Sequence, residues 1–230
     1  MAVFGALLGT QESPMAPRQT LTAALFLSVA AVASGTAQRP RSATRTPEVL
    51  QRACDGGDMR ACVDLGVRYD DGRGVAQSDT LAAELWRRAC DGGSSLGCEK
   101  LGRAYSTGRG VPRSDTLAVE LFQRACDGGN MAGCGNLGAS YAGGRVVPQS
   151  DTRAVELFRR ACDGGDMLGC SSLGHMYQDG RGVAQSDTRA AELYRRACDR
   201  GEVMGCFFLD VRGWPRRATR RRSVSPGVRP

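Results

Sequence analysis

The stretch that decides the fold is Ala53–Gly93, ACDGGDMRACVDLGVRYDDGRGVAQSDTLAAELWRRACDGG. Within it Cys62, Leu65, Gly66 and Tyr69 stand at i, i+3, i+4 and i+7, a spacing that places them on one stripe of an α-helix. Asp58 precedes the stripe and offers a carboxylate to the free N–H groups of a first helical turn, and Gly72 stops the helix. This is helix A. Further on, Ala82, Leu85, Trp86, Ala89 and Cys90 form a second one-sided stripe, entered through Ser78-Asp79-Thr80 and ended by Gly92-Gly93. This is helix B. A single hairpin cannot bury both stripes, so the pair needs neighbours.

The chain supplies them at a fixed step of 36 residues. Cys54, Cys90, Cys126, Cys162 and Cys198 recur at that step, each followed eight positions later by Cys62, Cys98, Cys134, Cys170 or Cys206. Leu65, Tyr69, Asp79 and Glu84 recur in the same register, and the residues that start helix A at 94, 130 and 166 are Ser, Asn and Asp. Stacked hairpins with nearest-neighbour contacts predict an all-α fold, a right-handed α-solenoid over 47–211. It opens with a lone helix B at Pro47–Cys54, continues through four A–B units and closes with a stub of helix A near 203–211. Gly66 and Ala82 are expected to let the helices approach closely, with Trp86, Phe122, Phe158 and Tyr194 filling the space between hairpins. Glu48/Arg52, Glu84/Arg88, Glu120/Arg124, Glu156/Arg160 and Glu192/Arg196 stand four apart with the acid first, the order of a helix-surface ion pair worth about 0.2–0.5 kcal/mol.

Composition narrows the function. The chain has 230 residues, 41% hydrophobic and 24% charged, and carries a formal charge of +7. Seven arginines and no acid fall in 211–230, so the basicity belongs to the tail; residues 48–210 hold 20 basic and 23 acidic side chains and offer no footprint for specific nucleic-acid binding. The tail, 212–230, has no apolar periodicity and is expected to be disordered, with weak contacts to anionic surfaces. At the other end, MAPRQTLTAALFLSVAAVASGTAQRP, read from Met15, has the pattern of a secretory signal peptide. Its apolar stretch, Leu21–Ala33, is shorter than the roughly 20 residues of a membrane-spanning helix. Residues 1–37 are therefore expected to be a signal peptide with its start at Met15, and 38–46 a linker, with no transmembrane segment and a secreted or periplasmic location.

The pattern ACDGG…GC..LG..Y..GRGV..SDT..A.EL(W/F)RRAC, over about 48–209, resembles the Sel1-like repeat, a relative of the tetratricopeptide repeat, in its cysteine-rich secreted branch. The resemblance implies an extracytoplasmic scaffold of disulfide-stapled helix pairs, and some members of the branch are catalogued as penicillin-binding or β-lactamase proteins. The chain departs from the pattern near the ends of the array and once inside it. Val146 stands for the second Gly of GRG, Arg200 for the first Gly of the GG stop, and Asp210 and Gly213 for the Gly and Tyr of the fifth helix A.

An even number of cysteines behind a signal peptide reads as disulfides. Two periodic pairings are open: one joins residues eight apart and uses all ten, the other joins Cys62 to Cys90 and Cys98 to Cys126 across a hairpin and strands Cys54 and Cys206. The resemblance selects the first, giving Cys54–Cys62, Cys90–Cys98, Cys126–Cys134, Cys162–Cys170 and Cys198–Cys206. With no CxxC and a single histidine, His175, no metal site and no cofactor is expected. A serine β-lactamase would need S-x-x-K and K-T-G. The one lysine is Lys100, position 97 is glycine, and the Ser-Asp-Thr triplets sit at helix starts. A binding scaffold without catalytic chemistry is thus the first reading, and β-lactam binding or weak hydrolysis is the alternative that the resemblance implies.

A scaffold repeats what packs and varies what recognises. The variable positions lie on helix A opposite its apolar stripe: Arg60 and Asp64, Lys100 and Arg103, Asn136, then Ser172, His175 and Asp179. These are the candidate contacts for a protein or peptide ligand on the concave face.

Overall fold

A computed structural model describes residues 46–214. The signal peptide, nearly all of the linker and the tail beyond Trp214 lie outside the described residues. Ten helices follow in order: α1 (Pro47–Asp55), α2 (Met59–Asp71), α3 (Asp79–Asp91), α4 (Ser95–Thr107), α5 (Asp115–Asp127), α6 (Met131–Gly143), α7 (Asp151–Asp163), α8 (Met167–Asp179), α9 (Asp187–Asp199) and α10 (Val203–Val211). The even-numbered ones are helix A and the odd-numbered ones helix B, and each packs on its neighbours in sequence to make an α-solenoid.

Caps fix the register. Asp58 accepts from the N–H groups of Arg60 and Ala61 at 3.0 and 3.2 Å, and Ser94, Asn130 and Asp166 each accept from the N–H three residues on. Glu202 performs the same office for α10, accepting from Met204 and Gly205. Helix B is capped by Ser78, Ser114, Ser150 and Ser186, which assigns the Ser-Asp-Thr triplets a structural task.

Asp166 is the costly member of the series. Burial holds its carboxyl above the usual range and Glu202 adds to that, against the opposing pull of the Gly169 and Leu168 N–H groups. Its charged form is therefore disfavoured by folding at neutral pH, whereas Asn130 caps the same place in the preceding unit without charge. Asp166→Asn is expected to keep the cap and slightly raise the thermal midpoint at pH 7. The gain should vanish below about pH 4, where an aspartate is protonated in folded and unfolded chains alike. Melting curves of both proteins at pH 7 and pH 3.5 check the sign.

All ten cysteines are oxidised, in the eight-apart pairing. Each bridge joins the last turn of helix B to the first turn of the next helix A. At four of the five junctions the close approach comes from glycine: a Cβ on Gly97 would lie 2.7 Å from Ala89 Cβ and 2.8 Å from the Cys90 nitrogen, and Gly133, Gly169 and Gly205 repeat the contact, while the first junction has the buried Ala61 at this place.

Two expectations need correction. The aromatic residues do not lie only between hairpins: Trp86, Phe122, Phe158 and Tyr194 each cover a glycine of the helix A in their own hairpin, so that a Cβ on Gly102 would sit 2.7 Å from the Phe122 ring. Their outer edges then meet the next helix A, as where Tyr194 stacks on Phe208 at 4.8 Å. In α1 Arg52 stays beside Glu48, donating to its carbonyl at 3.4 Å, but in the four later copies of helix B the glutamate–arginine pairs give way to longer connections. Arg124, Arg160 and Arg196 donate to the carbonyls of Cys90, Cys126 and Cys162 one unit back, at 3.1, 2.8 and 3.0 Å, and Arg88 reaches Asp55 at 2.8 Å. The final carbonyls of a helix lack intrahelical donors and carry the negative end of its dipole, so they outcompete an exposed glutamate. Beyond α10 the Trp214 N–H bonds Leu209 O at 2.8 Å, and its ring packs 6.1 Å from that of Tyr194.

Candidate functional site

Where one helix A lies beside the next, the solenoid surface opens into clefts, and three of them are related by the 36-residue step. The first, between α2 and α4, is lined by Asp70, Trp86, Lys100, Arg103, Ala104, Thr107 and Arg109 and holds about 80 Å³. The second, between α4 and α6, is lined by the equivalent Ser106, Phe122, Asn136, Ala139, Ser140, Gly143 and Arg145, with Arg103, Arg113, Asp115 and Val146 among the rest, and holds about 400 Å³. The third, between α6 and α8, replaces these by Ala142, Phe158, Ser172, His175, Met176 and Arg181, adds Leu168, Met204 and Phe208, and holds about 440 Å³.

Side-chain size accounts for the growth. The first cleft is floored by an indole and closed by Arg109, which is tied to Asp70 at 2.8 Å and Asp79 at 2.9 Å. The second has smaller residues on α6, where Ala139 and Gly143 stand in place of Arg103 and Thr107. The third is apolar, with Phe158, Leu168, Met176, Met204 and Phe208 facing one space. Leu168 is 61% exposed, a large apolar side chain left in water at its mouth. His175 Nε2 stands 3.3 Å from Asp179 Oδ2 at the rim, and Arg181 is held by Asp151 at 2.7 Å and by the Ala142 carbonyl at 2.9 Å.

The residues singled out from sequence distribute over this row. Lys100 lines the first cleft, with Nζ 3.7 Å from Glu99; Arg103 lines the first and second, Asn136 the second, and Ser172 and His175 the third. Asp179 does not line the third cleft but stands behind two residues that do, 3.3 Å from His175 and within reach of the charge of Arg181. Arg60 and Asp64 stand on α2, which has no earlier helix A beside it among the described residues, and they border none of the three clefts. Sequence reasoning missed Arg113, Arg145 and the apolar set Phe158, Met176, Met204 and Phe208. The signal for Arg145 was the Val146 departure beside it.

Every cysteine is in a disulfide, which leaves no thiolate to act as nucleophile or ligand. No helix among the described residues is long and apolar enough to cross a membrane.

An array of this kind defines a helical repeat protein. Four consecutive segments, 60–94, 95–130, 132–166 and 168–202, match the model of the Sel1 repeat and together cover more than half of the chain. The chain belongs to the Sel1 repeat family. No curated protein matches it. Among solved structures it is similar to a Sel1 repeat protein from Oxalobacter formigenes, with 22% identity, TM-score 0.68, and 71% of this chain and 65% of that one covered. It is also similar to c5321, a protective antigen present in uropathogenic Escherichia coli strains, with 30% identity, TM-score 0.66, and 75% and 38% covered. A third is the immunity protein Pa5087 from Pseudomonas aeruginosa, at 20% identity and TM-score 0.51, with 71% and 60% covered. The chain thus spans less than two thirds of the length of each of these proteins.

Proposed function

We propose that the protein is a binding scaffold of the cell exterior or periplasm that grips an extended peptide or protein segment along the concave, helix A face. The observation that carries this reading is the set of three clefts in one register on a surface that otherwise repeats: the frame is constant and the linings differ. Export is supported by the five disulfides, which persist in oxidising compartments, and by the leader pattern of 1–37.

Ala139 tests the reading because it is exposed and borders both larger clefts. Panning a random peptide library on the full, disulfide-intact chain is expected to enrich one family of sequences. Ala139→Arg is expected to weaken those peptides at least about tenfold, a loss of about 1.4 kcal/mol, without lowering the thermal midpoint. An absence of enriched sequences, or binding indifferent to Ala139→Arg, would reject the proposal.

A further inference from the structure

In the second and fourth units, an arginine locks the loop after helix A onto the start of the previous helix B. Arg109 bonds Asp79 at 2.9 Å and Arg181 bonds Asp151 at 2.7 Å, each thirty residues back. The lock needs glycine beside the arginine: Gly110 lies so close to the Asp79 carbonyl that a Cβ would meet its oxygen at 2.0 Å, and Gly182 stands likewise against Asp151. The third unit has Val146 at this place. A valine cannot enter that space, so its loop stands off. The Arg109 and Arg181 N–H groups bond Ala104 O and Met176 O, whereas the corresponding carbonyl of Ser140 takes only the Gly144 N–H. Asp115, the equivalent partner, is held by Arg113 of its own loop at 3.0 and 3.1 Å. Arg145, at the edge of the α4–α6 cleft, makes no hydrogen bond and no ion-pair contact within 4 Å among the described residues; it feels the charge of Asp115 across the cleft but does not close onto it. Arg103 approaches the same cleft, bound only loosely to Glu99 at 3.8 Å. Against one acid, Asp115, the cleft carries three arginines.

We infer that this cleft receives an acidic side chain of the bound peptide, with Arg145, released by Val146, as its main partner and Arg103 as its second. The inference rests on the peptide-binding reading above and deepens it. The adjoining α6–α8 cleft, walled by Phe158, Leu168 and Phe208, takes an apolar side chain of the same peptide. Only α6 separates the two clefts. Its face there is Ala139 and Gly143, so nothing larger than a methyl group obstructs a chain laid across it. One helix width, about 10 Å, is covered by about three residues of extended chain. The preferred ligand is therefore an extended segment with an apolar residue and a Glu or Asp about three positions apart. The charge separation gives the order of sites, while the apolar cleft supplies most of the affinity by removing an aromatic or aliphatic side chain from water.

The test uses the full, oxidised chain and fluorescein-labelled Gly/Ser peptides carrying one Phe and one Glu, with one to five residues between them, beside counterparts with Gln for Glu or Gly for Phe. Fluorescence polarisation is expected to show the tightest binding near a three-residue step. There the Glu peptide should bind about fivefold tighter than its Gln counterpart at low salt, with the preference shrinking as salt rises. Arg145→Ala is expected to bring the Glu-to-Gln ratio close to one while leaving the dependence on Phe intact. Val146→Gly is expected to do the same by letting Arg145 close onto Asp115, with an unchanged or higher thermal midpoint that excludes unfolding as the cause. Equal binding of Glu and Gln peptides, or a preference that survives both variants, would overturn the acidic pocket while a retained Phe dependence kept the peptide reading standing. Loss of Phe dependence as well, with no peptide bound, would take both down.

Discussion

Dithiothreitol is expected to abolish most of the helical signal of this protein at 37 °C. Each bridge closes a loop between residues eight apart, and the chain-entropy model assigns such a closure about 2–3 kcal/mol. Five of them together match the whole net stability of a typical domain, about 5–15 kcal/mol. The helices have little with which to replace this. Glycine in a helix interior is about 1 kcal/mol worse than alanine, and α6 alone contains Gly133, Gly135 and Gly138 in its interior. The weakest point should be α6, and hydrogen exchange on the partly reduced protein is expected to show its amides released first. Because contacts run only between neighbours, removing a single bridge with Cys126→Ser and Cys134→Ser should cost about 2–3 kcal/mol and loosen α5–α6 before the ends. A reduced protein that melts cooperatively within about 10 °C of the oxidised one would show that packing, not covalent stapling, carries the array.

Gly110→Ala is expected to be the most damaging conservative change on the surface. The residue sits at φ 69° with an Asp79 carbonyl oxygen where its Cβ would go, so the substitution adds backbone strain and forces the loop off α3. The two effects together should cost about 3 kcal/mol or more. Gly93→Ala is the control, since its φ of 87° is as unfavourable but a Cβ there meets nothing within 4 Å. It should cost only the strain of a left-handed residue, about 1–2 kcal/mol. Equilibrium unfolding of both variants with bridges intact measures the difference, which is the contact itself. Equal costs would also remove the physical reason given for the displaced loop at Val146.

The helices and their bounds were legible because they depend on short spacing: stripes within eight residues, caps three residues from the N–H groups they serve, glycine at the stops. Asp58, Ser78 and Gly72 each declare a helix end by their own chemistry. Partners thirty or more residues apart were not legible. Nothing in the local sequence says that Arg124 prefers the Cys90 carbonyl to Glu120, since that choice is made only when two units are brought side by side. Cleft depth is of the same kind. It follows from what three helices leave unfilled, and Trp86 and Phe122 occupy equivalent places with different remainders. The departure at Val146 was visible as a broken pattern. Its meaning required knowing what the glycine it replaces is pressed against.

The bridges also bear on how the molecule is made. Every cysteine pairs with the next one along the chain, so the bonds are first with second, third with fourth, and so on to the end. For a chain delivered amino terminus first into an oxidising space, the earliest partner a thiol meets is then its native one. Vectorial delivery makes the correct connectivity the kinetically first connectivity, and thiol exchange is needed only to repair errors. The array can grow like a zipper, each tooth locked before the next arrives.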